Sequence, residues 1–437
     1  MSAEATAAPR RKPWQGFLGG LQKMGRSLQL PIAVLPAAGI LNRLGQPDVF
    51  GADGLGWTDV AKVFAGAGGA LLDSGLGLPL LFCVGVAIGM AKKADGSTAL
   101  AAVVAFLVYF SVLHQFPEDC PQTAKFAGAG LWSGVCVSGA GAATLAGYQN
   151  PGVFGGIVIG LLSAWFWVRF HRVRLVDWLG FFNGRRLVPI MMSFVALLFA
   201  VVCLWVWPPV GDALTSFSQW LSDLGETGAG VFGVANRALL VVGLHQFLNT
   251  FMWFQFGDYT KPDGTVVHGD INRFLAGDPS AGQFTTGFFP IMMFALPAAA
   301  LAITHCARPE NRKVVGGMML SVGLTSFVTG ITEPIEYSFL FIAPVLYAVH
   351  ALLTGVSMAV SWAFGVHDGF SFSAGLIDYV INWGLATRPW LIIPIGLGFA
   401  VLYYVIFRFA IVKFDLPTPG REPAEVAEEI QEGNVKP

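Results

Sequence analysis

Residues 187–211 read LVPIMMSFVALLFAVVCLWVWPPVG, a run without one charged side chain. A helix crossing the ~30 Å hydrocarbon core of a bilayer needs about 18–20 predominantly apolar residues, and this stretch supplies them. Outward from it, the uncharged runs 126–168, 279–307 and 389–407 meet the same length test. Of the 437 residues, 54% are hydrophobic and only 12% charged, against about 25% charged in soluble proteins. The chain is therefore predicted to be an all-α polytopic membrane protein, because only helices satisfy their own backbone at this hydropathy pattern. A net charge of −1 provides no general pull on nucleic acid, so specificity must come from particular charges in particular places.

The N-terminus carries Arg10, Arg11, Lys12, Lys23 and Arg26 but no closely following apolar core of signal-peptide length. Trp14, Phe17, Leu18, Leu21 and Met24 fall near helical spacing among these cations, which predicts a cytoplasmic amphipathic segment over residues 1–27. Further Lys and Arg clusters at Lys92–Lys93, 169–186, 308–313 and 408–421 mark cytoplasmic ends. With spans expected at 28–44, 71–90, 99–114, 152–168 and 187–207, this bookkeeping is self-consistent and places both termini in the cytoplasm. Cys83, Cys120, Cys136, Cys203 and Cys306 show no C-x-x-C spacing and read as small core residues, with no metal site expected. Gly156 and Gly160 form a small-xxx-small pair suited to a close helix neighbour or a dimer partner. The Gly-, Ala- and Ser-rich stretch 128–147 is either a packed span or a re-entrant piece.

The second half differs: the apolar segments 231–256, 316–336 and 338–365 are interrupted by Pro, Gly and charge, and broken helices are where transporters bind solutes. The expected divisions are a scaffold and dimerisation half over 28–210, a transport half over 211–413 and a cytoplasmic tail over 414–437. Pro262, Asp263 and Gly264, flanked by Thr260 and Val266, predict a polar hairpin outside the bilayer.

Arg237 is the only fixed charge between Glu226 and Asp258, and Glu333 and Glu336 are the only ones between Lys313 and Asp368. An intramembrane charge costs about 2.5 kcal/mol or more unless paired or hydrated. These are candidate site residues; an ion pair from Arg237 to a glutamate, holding two broken helices together, is the structural alternative. His245 and Asn249 lie one helical turn apart, about 12 Å along the axis from Arg237 if the helix runs straight. At Gly330, ITEPIE follows, where Gly330 and Pro334 both oppose continued helix. A break there frees backbone groups for a neutral polar solute, and Glu333 can accept two vicinal sugar hydroxyls. Trp253, Phe254, Trp362 and Trp383 are candidate stacking residues, though most aromatics must face lipid or core.

The stretch GITEPIEYSFLF from Gly330 resembles the signature of glucose-superfamily phosphotransferase IIC proteins, and NRALLVVGLHQFLNTFMWFQFG from Asn236 resembles the preceding sugar-site helix. The segments HGDINRFLAGDPSAGQFTTGFFPIMMFALPAAALAI from His268 and GFSFSAGLIDYVINW from Gly369 are most similar to the N-acetylglucosamine branch. The resemblance implies about ten transmembrane helices with re-entrant hairpins, a homodimer in the bacterial cytoplasmic (inner) membrane, and an elevator-like movement. It implies sugar contacts at Arg237, His245, Asn249, Thr332 and Glu333, with Glu336 and Asp368 as further substrate-binding positions. It also implies that the sugar 6-hydroxyl is phosphorylated from a phosphocysteine on IIB, fed by phosphoenolpyruvate through the phosphotransferase cascade, with no cofactor bound. Only 18 residues follow Pro419, so the IIB partner is expected to be a separate protein. Glu333 and His245 are the expected candidates for a base toward the 6-hydroxyl, provided one lies within about 3 Å of that oxygen. Glucose or glucosamine is the alternative substrate. An H⁺- or Na⁺-coupled carrier using Glu333 and Asp368 is the alternative of another class.

Overall fold

The computed structural model describes residues 23–24, 27–28, 31, 34–72, 76–113, 119–121, 144–146, 151–241, 245–261, 264, 266–340 and 343–421. Most of the expected amphipathic N-terminus, nearly all of 128–147 and the tail beyond 421 lie outside the described residues. Five described helices are long and apolar enough to cross a membrane, Gly96–Leu113, Val153–Phe170, Gly184–Asp223, Pro344–Ala363 and Pro389–Lys413; a sixth arises if Thr58–Leu72 and Gly77–Met90 form one broken span. The chain divides into two compact units, one comprising 1–34, 70–213 and 239–246, the other 35–69, 214–238 and 247–437.

The first unit is built on α3 (Gly77–Met90), α4 (Gly96–Leu113), α5 (Val153–Phe170) and most of α6 (Leu187–Asp223). Asp95 caps α4: its carboxylate accepts from the Ser97 N–H at 2.9 Å while its own N–H donates to the Thr98 hydroxyl at 3.2 Å. Gly156 and Gly160 are spent inside the chain. A Cβ on Gly156 would stand 2.3 Å from the Pro79 carbonyl oxygen, and one on Gly160 2.5 Å from that of Cys83. The pair thus seats α5 on α3, the helix-neighbour use of a small-xxx-small face. Phe106, Tyr109, Trp167 and Met192 close the core between these helices. Helix α6 runs through Pro208 and Pro209 to Asp223, further than the expected span 187–207. Proline inside a membrane helix is tolerated where neighbouring groups satisfy the carbonyls it frees. At 37 residues and 1.5 Å per residue, the helix is about 55 Å long and outreaches the hydrocarbon core.

The second unit begins with α1 (Leu35–Leu44) and α2 (Thr58–Leu72, to Gly69). Helix α2 was not expected, because Gly66, Gly68, Gly69, Asp59 and Lys62 dilute its apolar pattern. Its glycines have a packing use: Cβ atoms at Gly45 and Gly68 would each fall 2.2 Å from a backbone nitrogen, of Ala65 and Asn42 respectively. Segment 231–256 divides into α7 (Glu226–Leu240) and α8 (His245–Phe254). The expected hairpin is present as β3 (Asp258–Thr260) paired antiparallel with β4 (Val266–His268), followed by the short α9 (Asp270–Leu275); β1 (Asp119–Pro121) and β2 (Thr144–Ala146) form the other two-stranded pair.

The uncharged run 279–307 is not one helix. Residues 281–290 are irregular for the most part yet buried throughout, then a π-helical turn, Pro290–Ala295, leads into α10 (Leu296–Cys306). Irregular backbone at this hydropathy is permitted only where protein surrounds it. The segment is bonded accordingly: Asp270 accepts from the N–H groups of Gly282 at 2.9 Å and Phe284 at 3.0 Å. The Ser326 hydroxyl reaches the Met292 carbonyl at 2.6 Å. Beyond α11 (Arg312–Thr329) and α12 (Glu333–Leu340), the expected interruption of 338–365 occurs only at its start. Pro344 opens α13 (Pro344–Ala363), which then runs unbroken, since proline in a first helical turn forfeits no helical bond. Helices α14 (Leu376–Ile381) and α15 (Ile392–Lys413) complete the unit.

Candidate functional site

The ITEP stretch forms a tight break rather than a kink. Helix α11 ends at Thr329, and Gly330 takes a left-handed φ of +74° as its C-cap. Pro334 does not oppose the next helix; it lies in the first turn of α12, where the Thr332 carbonyl accepts from the N–H groups of Ile335 and Glu336, both at 3.0 Å. The turn is held from outside by Ser373, whose hydroxyl donates to the Gly330 carbonyl at 2.9 Å.

This break delivers Glu336 to Arg237. The Arg237 Nη1 donates to Glu336 Oε1 at 2.8 Å, with 4% and 0% of the two side chains exposed. Helix α7 presents Arg237, which also lies over the Phe288 ring at 5.0 Å, and whose carbonyl accepts the Tyr347 hydroxyl at 2.5 Å. The same Oε1 accepts from His350 Nε2 at 3.1 Å, and His350 Nδ1 faces the Tyr403 hydroxyl at 2.9 Å. A buried chain therefore runs from α7 through α12 and α13 to α15. Thr332 is buried, and its hydroxyl bears on the Glu336 carboxylate. Glu336 Oε2 and Arg237 Nε have no hydrogen-bond partner among the described residues.

The remaining expected residues occupy different parts of the chain. Glu333 stands in the first turn of α12, part-exposed and close enough to Glu336 and Arg237 to feel both charges. Asn249 is buried and accepts a short hydrogen bond from Asn236, the residue before Arg237. His245 opens α8 with Nε2 at 3.0 Å from the Gln246 amide; it belongs to the chain segments of the first unit. Asp368 sits in a separate polar knot: Oδ1 accepts from the Gly369 N–H at 2.8 Å, and its carbonyl accepts the hydroxyls of Thr285 at 2.9 Å and Thr286 at 2.8 Å. Its Oδ2 has no partner among the described residues. Trp253 donates to the Phe284 carbonyl at 3.0 Å, Trp362 meets His367 in a tilted contact at 4.3 Å between centroids, and Trp383 leans on Tyr379 at 5.3 Å. No metal-binding group of His, Cys, Asp and Glu occurs among the described residues.

Four side chains escaped the sequence reading. His350 and Tyr403 add no fixed charge to an apolar helix, so nothing in hydropathy marks them. Arg43 was hidden in the expected span 28–44. It is 1% exposed, forks onto Asp48 at 2.7 and 2.6 Å, and donates to Asn382 Oδ1 at 2.6 Å. The Asn382 amide in turn reaches the Gly369 carbonyl at 3.1 Å. Asp378 accepts from the Ser371 N–H at 2.6 Å; an acid beside an apolar tyrosine-containing run was its only sequence signal.

Comparison with known proteins decides the family. The family described as "Phosphotransferase system, EIIC" matches residues 25–355. The chain belongs to the phosphotransferase system EIIC family. A relative from Streptomyces coelicolor, "PTS system N-acetylglucosamine-specific EIIC component", is 63% identical to this EIIC chain across 98% of it and 99% of the relative. The "PTS system glucose-specific EIICBA component" of Staphylococcus carnosus is 44% identical across 94% of this chain, which spans 62% of that relative's length. Among solved structures, the transporter ChbC, the IIC component of an N,N'-diacetylchitobiose-specific system, superposes with a TM-score of 0.56 at 14% identity, covering 97% of this chain and 98% of ChbC. That likeness carries the EIIC fold. The buried Arg237–Glu336 pair and the ITEP break thus belong to a membrane-embedded sugar phosphotransferase component.

Proposed function

We propose that this EIIC chain binds N-acetylglucosamine and carries it across the bacterial cytoplasmic membrane for phosphorylation at the 6-hydroxyl by a IIB protein on another chain. The near full-length 63% identity to a protein named for N-acetylglucosamine, against 44% to one named for glucose, is the observation that carries the sugar assignment. The geometry supports a neutral polyhydroxylated ligand: Glu336 Oε2 is an unsatisfied acceptor and Arg237 Nε an unsatisfied donor within one ion pair. A hydroxyl group can serve both. Burying such atoms without a partner costs about 1–3 kcal/mol each, which sugar binding returns.

In this reading Arg237, Asn249, Thr332, Glu333, Glu336, Asp368 and His245 contact or position the sugar. Glu333 or His245 takes the 6-hydroxyl proton as the phosphoryl group arrives. The phosphoryl group originates from phosphoenolpyruvate through the cascade, and the chain's own task is positioning. The described cysteine side chains, Cys83, Cys203 and Cys306, are all buried, which supports a phosphocysteine located on the partner. The functional division into a scaffold half over 28–210 and a transport half over 211–413, homodimer assembly and cytoplasmic termini complete the proposal.

Competition binding to the purified chain tests the sugar. N-acetylglucosamine is expected to displace its labelled form at least tenfold better than glucose or glucosamine, about the discrimination that one well-matched group supplies. Equal or better displacement by glucose overturns the assignment to the N-acetyl sugar.

A further inference from the structure

Buried arginine and carboxylate groups frequently meet through two parallel N–H···O bonds. Arg237 and Glu336 meet instead through Nη1 and Oε1 at 2.8 Å, while Oε2 and Nε remain without partners among the described residues. The cause lies on the other side of the carboxylate, where His350 Nε2 reaches the same Oε1 at 3.1 Å. Two donors converging on one oxygen fix the carboxylate's rotation.

His350 is itself over-determined. It is fully buried, its ring meets Phe339 edge-on at 5.9 Å and lies 5.7 Å from Tyr347, and its Nδ1 faces the Tyr403 hydroxyl at 2.9 Å. An ionised carboxylate only accepts hydrogen bonds, so Nε2 carries the ring hydrogen and Nδ1 accepts from Tyr403. The tautomer follows from these partners. The single Tyr403 hydroxyl hydrogen has a second acceptor in the His350 carbonyl at 3.3 Å, but Nδ1 at 2.9 Å is the nearer, and that carbonyl already accepts from the Thr354 hydroxyl at 2.9 Å.

We propose that His350, oriented by Tyr403, is a positioning residue that holds Glu336 in this one-oxygen grip and keeps Oε2 open as the acceptor for a substrate hydroxyl. The proposal rests on the sugar-binding reading above. Without His350 the carboxylate is free to rotate onto the guanidinium fork, which consumes Oε2 and closes the acceptor. The defect then falls on sugar affinity and KM more than on kcat, because the base proposed for the 6-hydroxyl is Glu333 or His245 and not Glu336.

The test is equilibrium binding of labelled N-acetylglucosamine, with glucose and glucosamine in parallel, to the full chain in nanodiscs. His350→Ala is expected to weaken binding about tenfold or more, the effect of one charge-assisted hydrogen bond. His350→Gln, whose amide N–H can reach the same oxygen, recovers most of that loss. In a Glu336→Leu background, which removes both carboxylate oxygens, His350→Ala changes affinity by less than about twofold, since the coupled partner is gone. Equal losses in both backgrounds mean that His350 only packs, and overturn the proposal. Where His350→Ala fails to fold, Tyr403→Phe decides: it removes one hydroxyl, several-fold weaker binding is expected, and unchanged affinity counts against the proposal. The imidazole ¹⁵N resonances of the sugar-free chain give a separate reading, with Nε2 protonated and Nδ1 bare; the opposite tautomer contradicts the grip. If the wild type binds none of the three sugars, the substrate reading fails, and the tautomer decides the positioning claim on its own.

Discussion

At the residue scale, the Arg237–Glu336 pair is the feature on which stability and the proposed function converge. Removing one partner leaves the other charge buried, at a cost of about 3–5 kcal/mol. Arg237→Ala and Glu336→Ala are each expected to lower the thermal midpoint in detergent by several degrees, and the double variant to lose less than the sum; strict additivity contradicts the pair. Arg43 makes a second case. Its fork on Asp48 and its bond to Asn382 are replaced by a single point donor in Arg43→Lys. Because Asp48 is 36% exposed, the loss in Arg43→Ala is expected near the low end, about 3 kcal/mol, with the lysine variant intermediate by thermal unfolding. The sequence made Arg237, Glu333 and Glu336 legible because fixed charges stand out in apolar surroundings. It left Arg43, His350 and Tyr403 hidden, the first inside an expected span and the others because they carry no fixed charge.

Glycine and proline decide outcomes at the scale of elements, and their reading from sequence was only half successful. Gly330 ends α11 as expected, but Pro334 starts α12 instead of breaking it, since the position of a proline relative to a cap is set by the turn before it. Gly330→Ala places a Cβ at φ +74° and 2.6 Å from Ser373 Oγ. The left-handed conformation alone costs an L-residue about 1–2 kcal/mol, so sugar binding and thermal stability should both fall. Gly156→Leu should separate α5 from α3 and cost more than the same change at Gly66, where no atom lies within 4 Å of a Cβ; equal effects at the two sites would contradict the packing account. The hairpin β3–β4 offers a pH test. His268 Nδ1 lies 2.7 Å from Asp258, and this hydrogen bond holds the Asp258 carboxyl below its usual range. The contribution is therefore fully present above the unfolded aspartate pKa of about 3.9 and is lost as pH falls through the lower folded value. Solvent screening limits it to under about 1 kcal/mol. Protection of the hairpin amides against exchange, taken relative to their intrinsic rates, should fall below about pH 4 in the wild type more than in His268→Ala.

At the scale of the whole molecule, hydropathy sufficed for a helical membrane protein, and the family motifs sufficed for EIIC, as the match over residues 25–355 shows. The irregular, buried segment 281–290 was misread as part of a span because hydropathy counts apolar side chains and is blind to backbone hydrogen bonds. There the Asp270 carboxylate and the Thr286 hydroxyl bond the backbone that a helix would have satisfied by itself, while Thr285 and Thr286 tie the segment to the Asp368 carbonyl. Phe288 of this segment lies under the Arg237 guanidinium at 5.0 Å, which ties the fold's exception to the proposed site. The measurement that tests this most directly is uptake of labelled N-acetylglucosamine into vesicles containing the chain, loaded with phosphoenolpyruvate, the general phosphotransferase proteins and a soluble IIB. The account predicts sugar 6-phosphate inside, formed only when IIB is present. Free sugar accumulating without IIB and collapsing on addition of an ionophore would contradict it.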